Sequence, residues 1–184
     1  MKTHSAPVLV IDRLNRAVAL ICRWLVLVML ALGGWNVLGR YLGLLVGRNL
    51  SSNALIEGQW YLFALLFLLG AGHTLQRNGH VRVDVLRNVC SARRQARIEV
   101  IGTLLFLVPF CLVVVFTSLD MVAESWRLAE ASPDPAGLPR FPIKTIIPLG
   151  FLLLMAQGIS EAIKNWPLAF PPARPNRRQP EARG

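Results

Sequence analysis

The side chains able to do chemistry are few, and their spacing argues against most of it. His73 and His80 are seven residues apart and could be imagined as haem or metal ligands. Gly79 stands between them as a helix-ending residue, so they need not share a face, and a single histidine at a membrane boundary is commonly an interfacial polar group. The stretch Asn78-Gly79-His80-Val81-Arg82-Val83-Asp84 brings an imidazole, a guanidinium and a carboxylate close together in the chain. It opens a run of 21 positions holding six arginines, Arg77 to Arg97, which marks a boundary with lipid headgroups rather than a catalytic cleft. Cys22, Cys90 and Cys111 are odd in number and show no C-x-x-C spacing, so they read as small buried apolar residues and not as zinc ligands or a disulfide framework. His4 lies at the terminus, no nucleophile has a base and an orienting partner at recognisable spacing, and no phosphate-binding glycine loop occurs. The expectation is a chain that is not an enzyme and holds neither cofactor nor metal. Glu57 is the remaining candidate, as an ion or proton site or as a first-turn carboxylate favoured by free backbone N–H groups and the helix dipole. Its place at the start of an apolar segment favours the second reading.

The elements that carry these residues are membrane spans. The chain has 184 residues, 54% of them hydrophobic and only 16% charged, and the apolar residues come in blocks long enough to cross a hydrocarbon layer of about 30 Å at about 20 residues per helix. The net charge of +10 sits in the joints between blocks, where anionic lipid is the natural partner, and no aromatic-interleaved basic surface points to nucleic acid. Lys2, Arg13 and Arg16 precede the first block, but Arg23 interrupts it and its length exceeds a signal-peptide core, so a retained span is expected. The fold class is therefore all-α, an integral membrane protein with spans at about Ala17–Leu38, Ala54–Thr74, Ile98–Leu119 and Thr145–Ile163. Residues 1–165 form the membrane domain and residues 166–184 a basic, Pro-rich tail that follows the membrane surface.

Local signals refine each element. Arg40-Tyr41 reads as a basic and aromatic interfacial anchor closing the first span, and Asn36 is a polar group deep enough to require a protein partner. Ser51-Ser52-Asn53 can cap the second span, which should stop at Asn78-Gly79 with glycine in the left-handed cap. Asp84 can cap a short interfacial helix from Val85 to Cys90, and Ser91 offers a further cap before the third span. Pro109 removes a hydrogen bond from that span and should kink it. The fourth span is entered through Pro142 and Pro148, and Asp120 to Lys144 reads as an ordered polar loop with Trp126 at the interface. Gly33-Gly34, Gly70-Ala71-Gly72, Gln157 and Gly158 are helix-contact residues, serving either a partner protein or the chain's own packing. Of the 20 Lys and Arg residues, 15 fall in the N-terminus, the second joint and the C-terminal end, and 5 in the first and third joints. Both termini are thus expected in the cytoplasm.

The order Asn36-x-x-x-Arg40-Tyr41, Glu57, Gly70-Ala71 and Gly79-His80-Val81-Arg82-Val83-Asp84 resembles the DctQ-type small membrane subunit of tripartite ATP-independent periplasmic (TRAP) transporters. More narrowly, Ile56-Glu57-Gly58-Gln59-Trp60-Tyr61-Leu62-Phe63, Gly137-Leu138-Pro139 and Ile143-Lys144 with Ile147-Pro148-Leu149-Gly150 resemble the branch labelled mannitol/chloroaromatic compound transport. The resemblance implies a bacterial inner-membrane subunit of a secondary uptake system. A periplasmic binding protein would capture a small solute, often an organic acid, and a larger membrane subunit would carry the solute and sodium sites. It supplies no catalytic residues. Arg40, Glu57, Gly79, His80, Arg82 and Asp84 are the motif positions, and Asn36, Trp60, Lys144 and Gln157 are the candidates for contact with the partner subunit. A stand-alone channel, a lipid-associated accessory protein and a membrane cytochrome using His73 and His80 are the competing classes.

Overall fold

In the computed structural model residues 6–79 and 90–171 are described. His80, Arg82 and Asp84 lie outside them, and of the short helix expected from Val85 only Cys90 is included. Every regular element among the described residues is helical: α1 (Ala6–Val46), α2 (Asn53–Gln76), α3 (Ala92–Arg127) and α4 (Phe141–Ala169). All four are long and apolar enough to cross a membrane.

The helices outrun the apolar blocks that announced them. α1 has 41 residues, about 60 Å at 1.5 Å per residue, whereas hydropathy marks only its lipid-facing middle. It begins at Ala6 with Pro7 in the first turn, where a missing N–H costs nothing. It ends at Gly47, whose φ of +69° lets the Arg48 N–H donate to the Gly43 carbonyl at 3.1 Å. The first joint therefore begins at Gly47, nine residues beyond the Leu38 expected as the end of the first span. α2 starts on Ser52, whose hydroxyl accepts from the Leu55 N–H at 3.4 Å, as the Ser-Ser-Asn cluster predicts. At its far end the left-handed residue is Asn78 (φ 53°) and not Gly79, which instead donates its N–H to the Thr74 carbonyl at 2.9 Å. Asn tolerates this conformation through its short polar side chain. Ser91 precedes α3 but makes no side-chain cap bond.

The irregularity expected at Pro109 takes the form of a π turn. Residues Thr103–Leu107 are π-helical, and the Val108 N–H reaches the Thr103 carbonyl. Widening the helix by one residue just before the proline accommodates the ring and its missing donor. In α4 the helix begins at Phe141, so Pro148 lies inside it rather than at its entrance.

α4 touches each of the other three helices, and glycines set the approach. A Cβ on Gly150 would lie 2.8 Å from Leu68 Cβ and 3.0 Å from its carbonyl oxygen, so α2 and α4 meet backbone to backbone. A Cβ on Gly158 would lie 2.6 Å from Leu107 of the π turn. Gly72 receives the Asn15 side chain of α1, and Gly33 receives Gln59 of α2. In lipid, where apolar side chains gain nothing by leaving solvent, such close contact and interhelical hydrogen bonds hold helices together. Gly34 and Gly70, by contrast, face open space.

Candidate functional site

The polar side chains gather in two networks at opposite ends of the bundle. At the first, α2 begins, α3 ends and α4 begins. Glu57 is 3% exposed. Its carboxylate accepts from the Ser132 hydroxyl and from the Leu138 N–H at 2.5 Å, with the Arg140 guanidinium 4.0 Å away. The α3–α4 loop is bent over the carboxylate by glycine, since a Cβ on Gly137 would stand 2.7 Å from Glu57 Oε2 and 2.5 Å from Ser132 Cβ. Tyr61, one turn further along α2, donates its hydroxyl to the Pro139 carbonyl at 3.1 Å, and Asn53 donates to the Pro135 carbonyl at 3.1 Å. Glu57 is thus a latch that fastens the loop to α2. This corrects the expectation of a first-turn helix carboxylate, because the oxygens turn away from the helix's own amides toward a segment more than seventy residues later.

A second carboxylate closes the same end. Glu130 pairs with the Lys144 ammonium, accepts from the Ser125 hydroxyl at 2.6 Å, and lends its backbone carbonyl to the Arg140 N–H at 2.7 Å. Lys144 and then Ser125, both bonded to it, hold its carboxyl below the ordinary glutamate range. Trp126 donates to Thr145 Oγ1 at 2.8 Å and packs edge-on against Phe141 with ring centroids 4.6 Å apart.

The opposite end is held by Asp12, a residue that span-by-span reading passes over. Its carboxylate accepts from Gln157 Nε2 at 3.0 Å, Ser160 at 3.2 Å and Lys164 at 2.8 Å. Lys164 and Gln157 also bond Glu161, at 2.7 and 2.9 Å. Asn15 donates to Gln157 Oε1 at 2.9 Å. A signal for this network does exist in the chain: Asp12 is the only acid before Glu57, with Asn15 one turn beyond it.

The other expected positions are dispersed. Gln157 has no exposed surface and is engaged in the α1–α4 network. Asn36 is buried as well, and its Oδ1 lacks a hydrogen-bond partner. Lys144 is engaged with Glu130, while Trp60 is 62% exposed beside the Glu57 latch. Arg40 lies on the final turns of α1, away from the latch, and Gly79 at the opposite end. His73 is bonded through Nδ1 to Gln76 at 3.2 Å; His80 lies outside the described residues. Among the described residues no three His, Cys, Asp or Glu side chains converge as a metal would require.

Residues 29–168 match the family described as Tripartite ATP-independent periplasmic transporters, DctQ component. The matched stretch exceeds half of the chain and runs from the middle of α1 almost to the end of α4. The chain belongs to the DctQ family. A member of this family is the small membrane subunit of a TRAP transporter, working with a large membrane subunit and a periplasmic binding protein. The family comprises transporter components rather than enzymes, and a multi-pass bacterial membrane protein is what the four DctQ helices fit. Comparison with curated proteins returns no match.

Proposed function

We propose that this DctQ subunit is a non-catalytic scaffold for the large transport subunit, in a sodium-coupled uptake system whose solute is a small organic acid delivered by the binding protein. One observation carries the reading. The buried charged side chains of the described helices lie in two networks at the bundle ends, each closed on its own partners, and a solute path would instead place polar groups near the bilayer middle. The distribution of Lys and Arg supports cytoplasmic termini, so the Glu57 latch faces the periplasm and the Asp12 network the cytoplasm. We assign the branch labelled mannitol/chloroaromatic transport on its motif segments, two of which are neighbours in the fold: Glu57 and Tyr61 bond the Gly137-Leu138-Pro139 loop directly. Reconstitution is the test. Vesicles holding this chain, the binding protein and a sodium gradient should take up no solute until the large subunit is added, and uptake in its absence would overturn the scaffold reading.

A further inference from the structure

One cation at the latch is only half satisfied. Arg140 carries the five N–H donors of a flat guanidinium fork, yet its partner oxygen, Glu57 Oε1, is 4.0 Å away, beyond hydrogen-bonding reach. Glu57 takes its hydrogen bonds from the Ser132 hydroxyl and the Leu138 N–H instead. The Arg140 side chain, 37% exposed, makes no hydrogen bond to any described residue, so Coulomb attraction alone joins it to Glu57.

Beside that guanidinium lies a cavity. Arg140 lines a shallow recess of about 230 Å³ together with Glu57, Trp60, Tyr61, Ile143 and Lys144, between the start of α2 and the first turn of α4. Tyr61 turns its hydroxyl to the Pro139 carbonyl, and Lys144 gives one N–H to Glu130, which also balances its charge. Trp60 is exposed and its indole N–H bonds no described residue. Donors therefore exceed acceptors in the lining: the one carboxylate in the wall is buried and already bonded to the loop, while the guanidinium keeps all its N–H groups. Trp60 and Ile143 add apolar surface next to it.

The size of the recess limits what enters. It has room for about eight waters at about 30 Å³ each, which admits one small organic anion or one lipid headgroup and excludes a helix of a partner protein. Water can meet the donors singly. An oxyanion meets two at once through the planar fork and brings a full opposite charge, and an apolar body on the same molecule covers Trp60 and Ile143, which water leaves bare.

We infer that the recess beside the latch is a binding site for an amphiphilic oxyanion, with a carboxylate or phosphate on the Arg140 guanidinium and an apolar body against Trp60 and Ile143. Bound there, it bridges α2 and α4. A free organic acid and an anionic lipid share this chemistry, and the experiment separates them. In the purified whole transporter, a diazirine-bearing benzoate and a phosphatidylglycerol with a diazirine near its glycerol are photolysed in turn, and the labelled residues of this chain are mapped by mass spectrometry. The expected result is label on residues 57–61 or 140–144 from one probe or both, competed by the unlabelled molecule. It should be about tenfold stronger than label from the same probe without its charge, a benzamide or a diacylglycerol. Label from the benzoate assigns the site to a free acid, and label from the lipid to a headgroup. Equal labelling by the uncharged probes, or no label at these residues, would overturn the inference. Arg140→Gln keeps the backbone bond to Glu130 and should lower the label by about tenfold or more, with part of it restored in Arg140→Lys. Because Arg140 also attracts Glu57, Trp60→Ala provides an independent arm. Trp60 bonds nothing in the latch, so the melting temperature of the unliganded complex should hold while label on residues 140–144 falls by about threefold or more. Unchanged label in either Arg140→Gln or Trp60→Ala would also overturn the inference.

Discussion

The side chain with most at stake is Glu57, because it terminates a backbone N–H, a hydroxyl and an ion pair at once. Removing an acceptor from buried donors costs more than the bonds themselves contribute. Glu57→Ala should therefore lower the melting temperature of the purified complex well beyond Glu124→Ala, whose pair with Arg127 is 75% and 50% exposed and worth little. Equal shifts in a thermal-unfolding assay would remove the latch from the account. Glu130 supports a pH experiment. Lys144 and Ser125 hold its carboxyl pKa below the ordinary glutamate value, so its contribution is complete above the ordinary glutamate range and is lost as pH falls through the depressed value. The gap in melting temperature between wild type and Glu130→Gln should close as pH is lowered from 7 toward 3, and a gap that widened would contradict the assignment. Neither role was legible in the chain. Glu57 sits on a helix start that looks like an ordinary acidic first turn, and its partners are 75 and 81 residues away.

At the scale of the helices, the spans were legible because lipid demands long apolar blocks, yet their ends were not, because a helix continues wherever its backbone bonds are met. α1 gained turns at both ends for that reason. The glycines divide in the same way: Gly33, Gly34, Gly70, Gly72 and Gly158 read from sequence as possible contacts, and packing uses only some of these and adds Gly150. Gly150→Ala would push a methyl into the Leu68 backbone and should destabilise the bundle by about 1–3 kcal/mol. Gly34→Ala and Gly70→Ala meet nothing and should be neutral or stabilising by up to about 1 kcal/mol through helix propensity. Unfolding in mixed micelles with graded denaturant would separate the two groups. The turn after α3 offers a gain as well. Ala129 holds a φ of 45° while Glu130 donates back to the Ser125 carbonyl at 3.0 Å, a position that suits glycine. Ala129→Gly should stabilise by about 1 kcal/mol in the same assay, and a loss would show that the strain is not there.

For the molecule as a whole, the Asp12–Lys164 pair joins the first helix to the last across 152 residues, and with the Glu57 latch it pins both ends of the bundle. Sequence pattern shows only half of this: Asp12 stands out as the only acid before Glu57, but nothing in the chain marks Lys164 as its partner. Asp12→Asn leaves Lys164 with Glu161 alone, and Lys164→Met leaves the largely buried Asp12 carboxylate with neutral donors only. Asp12→Asn and Lys164→Met should each cost more than the double variant relative to wild type, with a coupling of about 0.5–3 kcal/mol in a double-mutant cycle; additive costs would mean that the pair is not coupled. The latch has a further consequence for how the protein is made. Glu57 leaves the ribosome 75 residues ahead of Ser132, an interval of roughly 4–15 s at bacterial elongation rates of about 5–20 residues per second. Throughout that interval its carboxylate has water and headgroups as its only partners. The contacts of Ser132, Leu138 and Arg140 with Glu57 can form only after the loop before the fourth helix has been synthesised, so the latch closes late in assembly.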